Sequence, residues 1–148
     1  MSAAASPVRH GYRGYVTSRE FGGARIPVPV QSLVLRDYCV RKGYVYKLHL
    51  NENMFPHSYL VLEGIVRDLS EFEGVLMCSM YMLPQRASRR AAIYAAIFDQ
   101  GSTLHLVLED LVLRSMADTA AVEDVLSAAV RLPLCPERIP EDLIGPDW

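Results

Sequence analysis

The run VLMCSMYML, from Val75 to Leu83, carries no charged residue and constrains the fold more than any other stretch. A strand with one wet face alternates apolar and polar residues, whereas a strand with no polar face needs cover on both sides. Such a strand belongs inside a sheet flanked by helices, and Pro84 ends it. Neighbouring segments supply the rest of the sheet. Tyr12–Val16 and Tyr44–Leu50 are rich in β-branched and aromatic residues, and TLHLVLED (Thr103–Asp110) reads as a fourth strand.

Helical patterns separate these strands. Val30, Leu33, Val34 and Tyr38 fall at helical spacing, and Gly43 stops that helix. Leu60, Val61, Ile65, Val66 and Leu69 form a second stripe within residues 59–74. Ala91, Ile93, Tyr94, Ile97 and Phe98 form a third within 85–101, and ADTAAVEDVLSAAVRL forms a fourth with Asp118 or Thr119 as N-cap. Strand and helix therefore alternate four times. The pattern predicts a single-domain α/β three-layer sandwich with a mainly parallel sheet of about four strands. The domain is expected over 11–132, after a short leader at 1–10 and before a Pro-rich tail at 133–148 suited to wrap the body or reach a partner.

Composition narrows the function classes. Hydrophobic residues make up 51% of the chain, enough for a core, and the formal net charge is −2. A strongly basic balance would favour nucleic acid or an anionic membrane, so neither is expected as a partner. No apolar run approaches the roughly 20 residues of a membrane span. Cys39, Cys78 and Cys135 form no CxxC pair, which suggests core thiols and a reducing, cytoplasmic location. His10, His49, His57 and His105 show no metal-ligand spacing, and no GxSxG, P-loop or GxGxxG motif occurs. No cofactor is predicted; a divalent metal held by the acids after the fourth strand is the alternative.

Ligands of parallel α/β sheets bind beyond the carboxyl ends of the strands. The sequence places polar groups at every such end. After the first strand come Ser18, Arg19, Gly22, Gly23 and Arg25, then Pro27, Pro29 and Gln31. The glycines permit positive φ and close approach of a ligand, and the arginines match anions with paired donors. After the second come Asn51, Glu52 and Asn53, followed by His57, suited to proton transfer. The third strand contributes Ser79, Arg86 and Arg89. Arginines in the first turn of a helix oppose its dipole, a conflict that an anionic ligand there would resolve; a solvated basic patch is the competing reading. Glu109 and Asp110 end the fourth strand, suited to acid–base work, to sugar hydroxyls or to pairing with the arginines. The candidate set is thus Ser18, Glu52, His57, Glu109 and Asp110 for catalysis. Arg19, Gly22, Gly23, Arg25, Gln31, Asn51, Ser79, Arg86 and Arg89 would bind substrate.

GYRGYVTSREFGGARIPVPVQSLVLRDYC, MLPQRASRRAAIY and LHLVLEDLVLR resemble the sporadic carbohydrate cluster proteins over roughly residues 11–130. That resemblance implies a setting in surface-polysaccharide or related sugar biosynthesis and carries no established reaction. The pattern GYVTS…Q…LRDYCVRKGY, then a buried strand, then QRASR, is similar in fold to the catalytic domain of serine recombinases (resolvases). There a serine follows the first strand, a glutamine begins the helix and Arg-x-x-Arg follows the third strand; Ser18, Gln31, Arg86 and Arg89 match. The similarity implies a resolvase-like, flavodoxin-like sheet with an anion-binding edge. The chain departs from it in a longer Pro-rich loop and in Gln85 where an Asp is usual.

These readings converge on a small enzyme of carbohydrate biosynthesis acting on an anionic sugar, either a sugar phosphate or a nucleotide-linked sugar. The alternative is a non-catalytic accessory protein that binds a sugar intermediate or a partner enzyme. DNA recombination is not expected. The apolar content also suggests a homo-oligomer.

Overall fold

The structure, a computed structural model, describes residues 9–52, 55 and 57–131. Most of the predicted leader, all of the predicted tail with Cys135, and Asn53 lie outside the described residues. The elements run β1 (Tyr12–Thr17), α1 (Val28–Lys42), β2 (Tyr46–Glu52), α2 (Leu60–Arg67), β3 (Gly74–Met77), α3 (Ala87–Asp99), β4 (Thr103–Leu106), β5 (Leu111–Leu113) and α4 (Thr119–Arg131). The sheet order is β2-β1-β3-β4-β5. β1 to β4 are parallel, and β5 is antiparallel to β4. The single α/β domain predicted from the alternation is therefore present, with one strand more than expected.

The extra strand arises inside the expected fourth one. The chain turns at Val107–Asp110, where Asp110 takes φ 53° and its N–H donates to Val107 O at 3.1 Å. It then returns as Leu111–Leu113. Glu109 and Asp110 thus occupy a hairpin turn rather than a strand end. β3 is also shorter than the apolar run that announced it. After Met77 the chain passes into a 3₁₀ turn, Met80–Met82, whose end residues are buried like a strand. Periodicity does not separate a buried strand from a buried turn. β2 runs two residues further than expected, so Asn51 and Glu52 belong to the strand and not to the loop beyond it. The second helix ends at Arg67, short of the predicted 59–74, and a 3₁₀ turn follows at Leu69–Glu71.

The sheet is buried at its centre. Tyr15, Leu76, Met77, Leu104 and Leu106 have no exposed surface. Each such side chain contributes about 1.5–3 kcal/mol through burial. One face carries a ring cluster: Tyr12, Tyr38 and Tyr44 surround His105 with centroids 5.1–5.7 Å away. The His105 nitrogens meet the Tyr38 hydroxyl at 2.7 Å and the Thr103 hydroxyl at 2.8 Å. Burial pushes its pKa down to about 4. Burial likewise raises Cys39 to about 11 and Cys78 to about 12, so both described thiols are unreactive core groups.

On the opposite face Glu52 performs a structural task. Only 1% exposed, it accepts from the N–H groups of Val61 and Leu62 at 3.0 and 3.2 Å, and from the Tyr15 hydroxyl at 3.2 Å. Those amides belong to the first turn of α2, which has no side-chain cap of its own. A carboxylate from β2 therefore caps the helix and meets its positive dipole end.

Candidate functional site

Between β1 and β3 the strand order reverses, and a crevice opens there beyond the carboxyl ends of the strands. Two adjoining hollows of about 690 and 700 Å³ fill it. They share His57, Tyr59, Pro84 and Gln85, and so form one cleft with two lobes. The first lobe lies between the loop after β1, the 3₁₀ turn after β3 and the last turns of α4. The second lies against the start of α3.

The loop after β1 owes its shape to its glycines and to Gln31. Phe21 and Ala24 exchange backbone hydrogen bonds of 3.0 and 3.1 Å. Between them Gly22 and Gly23 both take positive φ, 60° and 79°, as a tight type I′ turn requires. Gln31, fully buried, clamps both ends of the loop. Its Oε1 accepts from Thr17 N–H at 3.1 Å, and its Nε2 donates to Thr17 O at 2.7 Å and to Ile26 O at 2.8 Å. Gln31 is therefore a loop anchor; its amide is fully engaged by the protein.

The arginines arrive from two segments, the loop after β1 and the start of α3. Arg19 lies over the Tyr59 ring at 4.2 Å, and its Nε faces the Thr17 hydroxyl at 3.4 Å. Arg89 approaches the same ring at 4.9 Å. Its guanidinium also pairs with Glu63 at 2.7 Å and donates to His57 O at 3.1 Å. Arg86 stands exposed at the N-cap of α3, whose first turn has no acidic residue and no side-chain cap. Arg25 lines the first lobe and is exposed. Among the described residues Arg19, Arg25 and Arg86 have no carboxylate partner. Glu20 is the opposing charge on the lining of the first lobe.

Arg90 is the arginine that turns inward. Its side chain is 5% exposed and paired with Glu123 of α4 at 2.5 Å. It also donates to Pro84 O at 2.9 Å and Gln85 O at 2.7 Å, while the Tyr94 hydroxyl donates to Glu123 at 2.9 Å. The hydrogen bonds from Arg90 hold the Glu123 carboxyl below the usual range. This network fixes α4 against the start of α3, and so builds the wall of the first lobe.

The structure brings Arg19, Gly22, Gly23, Arg25, His57, Arg86 and Arg89 to this cleft, and places the other candidates elsewhere. Ser18 turns toward Asn51, whose Nδ2 donates to its hydroxyl at 3.3 Å. Thr17, its neighbour, lines the cleft instead. Alternation along β1 puts Thr17 and Ser18 on opposite faces, which was the available signal. Ser79 is buried and meets Glu109 Oε1 at 2.6 Å, which also accepts from Met80 N–H at 3.0 Å. Asp110 is an exposed turn residue. Gln85, which the sequence places just after the third strand, lines both lobes; the aromatic residues Phe21, Tyr59 and Tyr81 on the lining carry no motif. No group of three His, Cys, Asp or Glu among the described residues is placed to hold a metal. No helix among them is long and apolar enough to cross a membrane.

Solved structures share this architecture. The N-terminal catalytic domain of TP901-1 integrase superposes with a TM-score of 0.51 at 14% identity, over 82% of this chain and 96% of that one. A resolvase family site-specific recombinase from Streptococcus pneumoniae gives 0.54 at 12% identity, over 83% and 88%. The chain thus has the fold of a resolvase catalytic domain. No family model and no curated protein matches it in sequence.

Proposed function

We propose that the two-lobed cleft binds a phosphate-bearing sugar, as a sugar phosphate or a nucleotide-linked sugar, and acts on it. One observation carries this reading: Arg19 and Arg25 line the first lobe and Arg86 the second, at the start of α3, and none of the three has a carboxylate partner among the described residues. Three cations and the free amides of a helix start form a receptor for a phosphoryl group. His57 lines both lobes and is the group placed for proton transfer. Tyr81, 41% exposed on the lining, offers a ring face for the substrate's apolar side. The carbohydrate setting comes from the sequence resemblance, and the structural neighbours add nothing to it. Cytoplasmic location and a homo-oligomeric state belong to the same proposal.

The test is a series of thermal-unfolding midpoints with sugar phosphates, nucleotide sugars, inorganic phosphate, divalent metals and duplex DNA. A ligand selective for the folded state raises the midpoint by mass action. A rise with phosphorylated sugars supports the reading, and turnover of the stabilising compound separates an enzyme from an accessory binder. A flat response to every phosphorylated compound rejects it.

The fold favours one second reading, phosphoryl transfer on DNA, since the neighbours are a recombinase and an integrase. Against it, Ser18 does not line the cleft and the formal charge is −2. Stabilisation by DNA alone, falling steeply with salt, would favour that second reading.

A further inference from the structure

The two lobes differ in chemistry. The second lobe is polar and cationic, with Arg86, Ser88 and Arg89. The first takes Arg19 and Arg25 from the loop after β1, and its third cation, Arg90, is already paired with Glu123. Its far wall is apolar: Tyr81 and Leu83 from the segment after β3, and Leu126 and Val130 from α4. Tyr81 is 41% exposed and Val130 64% exposed, so both present surface to the lobe rather than to the core. Gly22 lies against the Tyr81 ring, where a Cβ would be in ordinary contact, 3.4 Å from Tyr81 Cδ2. At about 690 Å³ this lobe is far larger than a phosphoryl group needs. Glu20 and Gln85 on its lining are hydrogen-bonding partners for a polar ring edge.

We infer that the ligand is bipartite, with a nucleoside in the first lobe, its base on the Tyr81 ring against Val130, and its phosphates reaching the arginines at the seam between the lobes. The occupant of the site is then a nucleotide-linked sugar and not a free sugar phosphate. This deepens the proposed function and rests on the cleft being an anion site. A flat ring with polar edges suits an aromatic face flanked by a carboxylate and an amide; an alkyl chain would gain nothing from either of those groups. The Arg90–Glu123 pair acts as a positioning element, because it holds the α4 wall in place.

The experiment is calorimetric titration of the full chain with inorganic phosphate, ribose 5-phosphate, uridine and adenosine monophosphates, and octyl phosphate. The same titrations follow in Val130→Arg and Tyr81→Ala, both changes at surface-exposed positions. At least one nucleoside monophosphate should bind about tenfold tighter than ribose 5-phosphate. Both variants should erase that preference, each binding the nucleotides no tighter than it binds ribose 5-phosphate. Equal affinity for ribose 5-phosphate and both nucleotides, a preference that survives in the variants, or octyl phosphate matching the nucleotides would overturn the inference and leave the anion site standing. Failure of every phosphate compound to bind would overturn both.

Discussion

Arg19 and Arg89, one from the loop after β1 and one from α3, lie over the same aromatic ring, with guanidinium carbons 4.2 and 4.9 Å from the centroid of Tyr59. Tyr59 immediately precedes α2 and is 8% exposed, so it is held firmly. The ring fixes two long, entropy-rich side chains beside the cleft before any ligand arrives, which lowers the cost of binding. Tyr59→Phe should keep ligand affinity, whereas Tyr59→Leu should weaken it by about threefold to tenfold, for a loss of the order of one cation–π contact. Calorimetry on the two variants checks this; equal behaviour would deny the ring its role.

Glu52 lies at the carboxyl end of β2 close to the cleft, yet its hydrogen bonds go to α2 and Tyr15. Glu52→Ala should cost about 1–3 kcal/mol of stability, as expected when buried amides lose their acceptor. Urea unfolding measures the loss. Under native conditions the variant should bind phosphate compounds as the wild type does.

The Arg90–Glu123 pair is buried on the arginine side, and breaking one partner leaves a charge without compensation. Glu123→Gln should destabilise the fold by about 2–4 kcal/mol, below the range for fully buried pairs because the Glu123 side chain is 30% exposed. The Glu123 pKa is depressed in the folded state, chiefly by its hydrogen bonds with Arg90. Its stabilisation is therefore present above the ordinary carboxylate value of 4.5 and is lost as pH falls through the lower folded value. Denaturant midpoints measured below pH 4.5 should fall less steeply in Glu123→Gln than in the wild type.

His105 sets a second acid limit. Its pKa drops from 6.5 in the free side chain to about 4 in the fold, because burial disfavours the imidazolium. The unfolded state binds the extra proton first, so stability is full above pH 6.5 and declines as pH falls toward 4. The expected loss is about 2–3 kcal/mol. His105→Phe should flatten stability across that window while lowering it overall, since the Tyr38 hydroxyl loses its partner. An unchanged pH slope in the variant would remove His105 from the account.

The order of elements was readable because each rests on a local signal. Gly43 ends α1 with φ 73°, the αL conformation that Gly favours. The convergence of Arg19, Arg25, Arg86 and Arg89 followed from topology, since parallel strands bring the loops after their carboxyl ends to one edge. What the sequence hid depends on contacts between distant segments. The carboxylate of Glu52 looked free because its partners, Val61 and Leu62, only come near once α2 packs on β2. The inward turn of Arg90, next to Arg89 in the chain, depends on Glu123, which lies on another helix. Glu109 looked like a strand-end acid because the turn that carries it is as apolar on its flanks as a strand, and its hydrogen-bond partners Ser79 and Met80 follow β3. Ser18 and Thr17 differ only by the face on which each falls.

The central claim is that Arg19 and Arg86 make one anion site across the mouth of the cleft. The most direct measurement is calorimetric titration of a sugar phosphate into the wild type and into the Arg19→Ala/Arg86→Ala double variant, with the fold of each verified by circular dichroism. The account predicts saturable binding at one site in the wild type and at least about a tenfold loss in the variant. Equal affinity in both proteins, or no binding to the wild type, would contradict it.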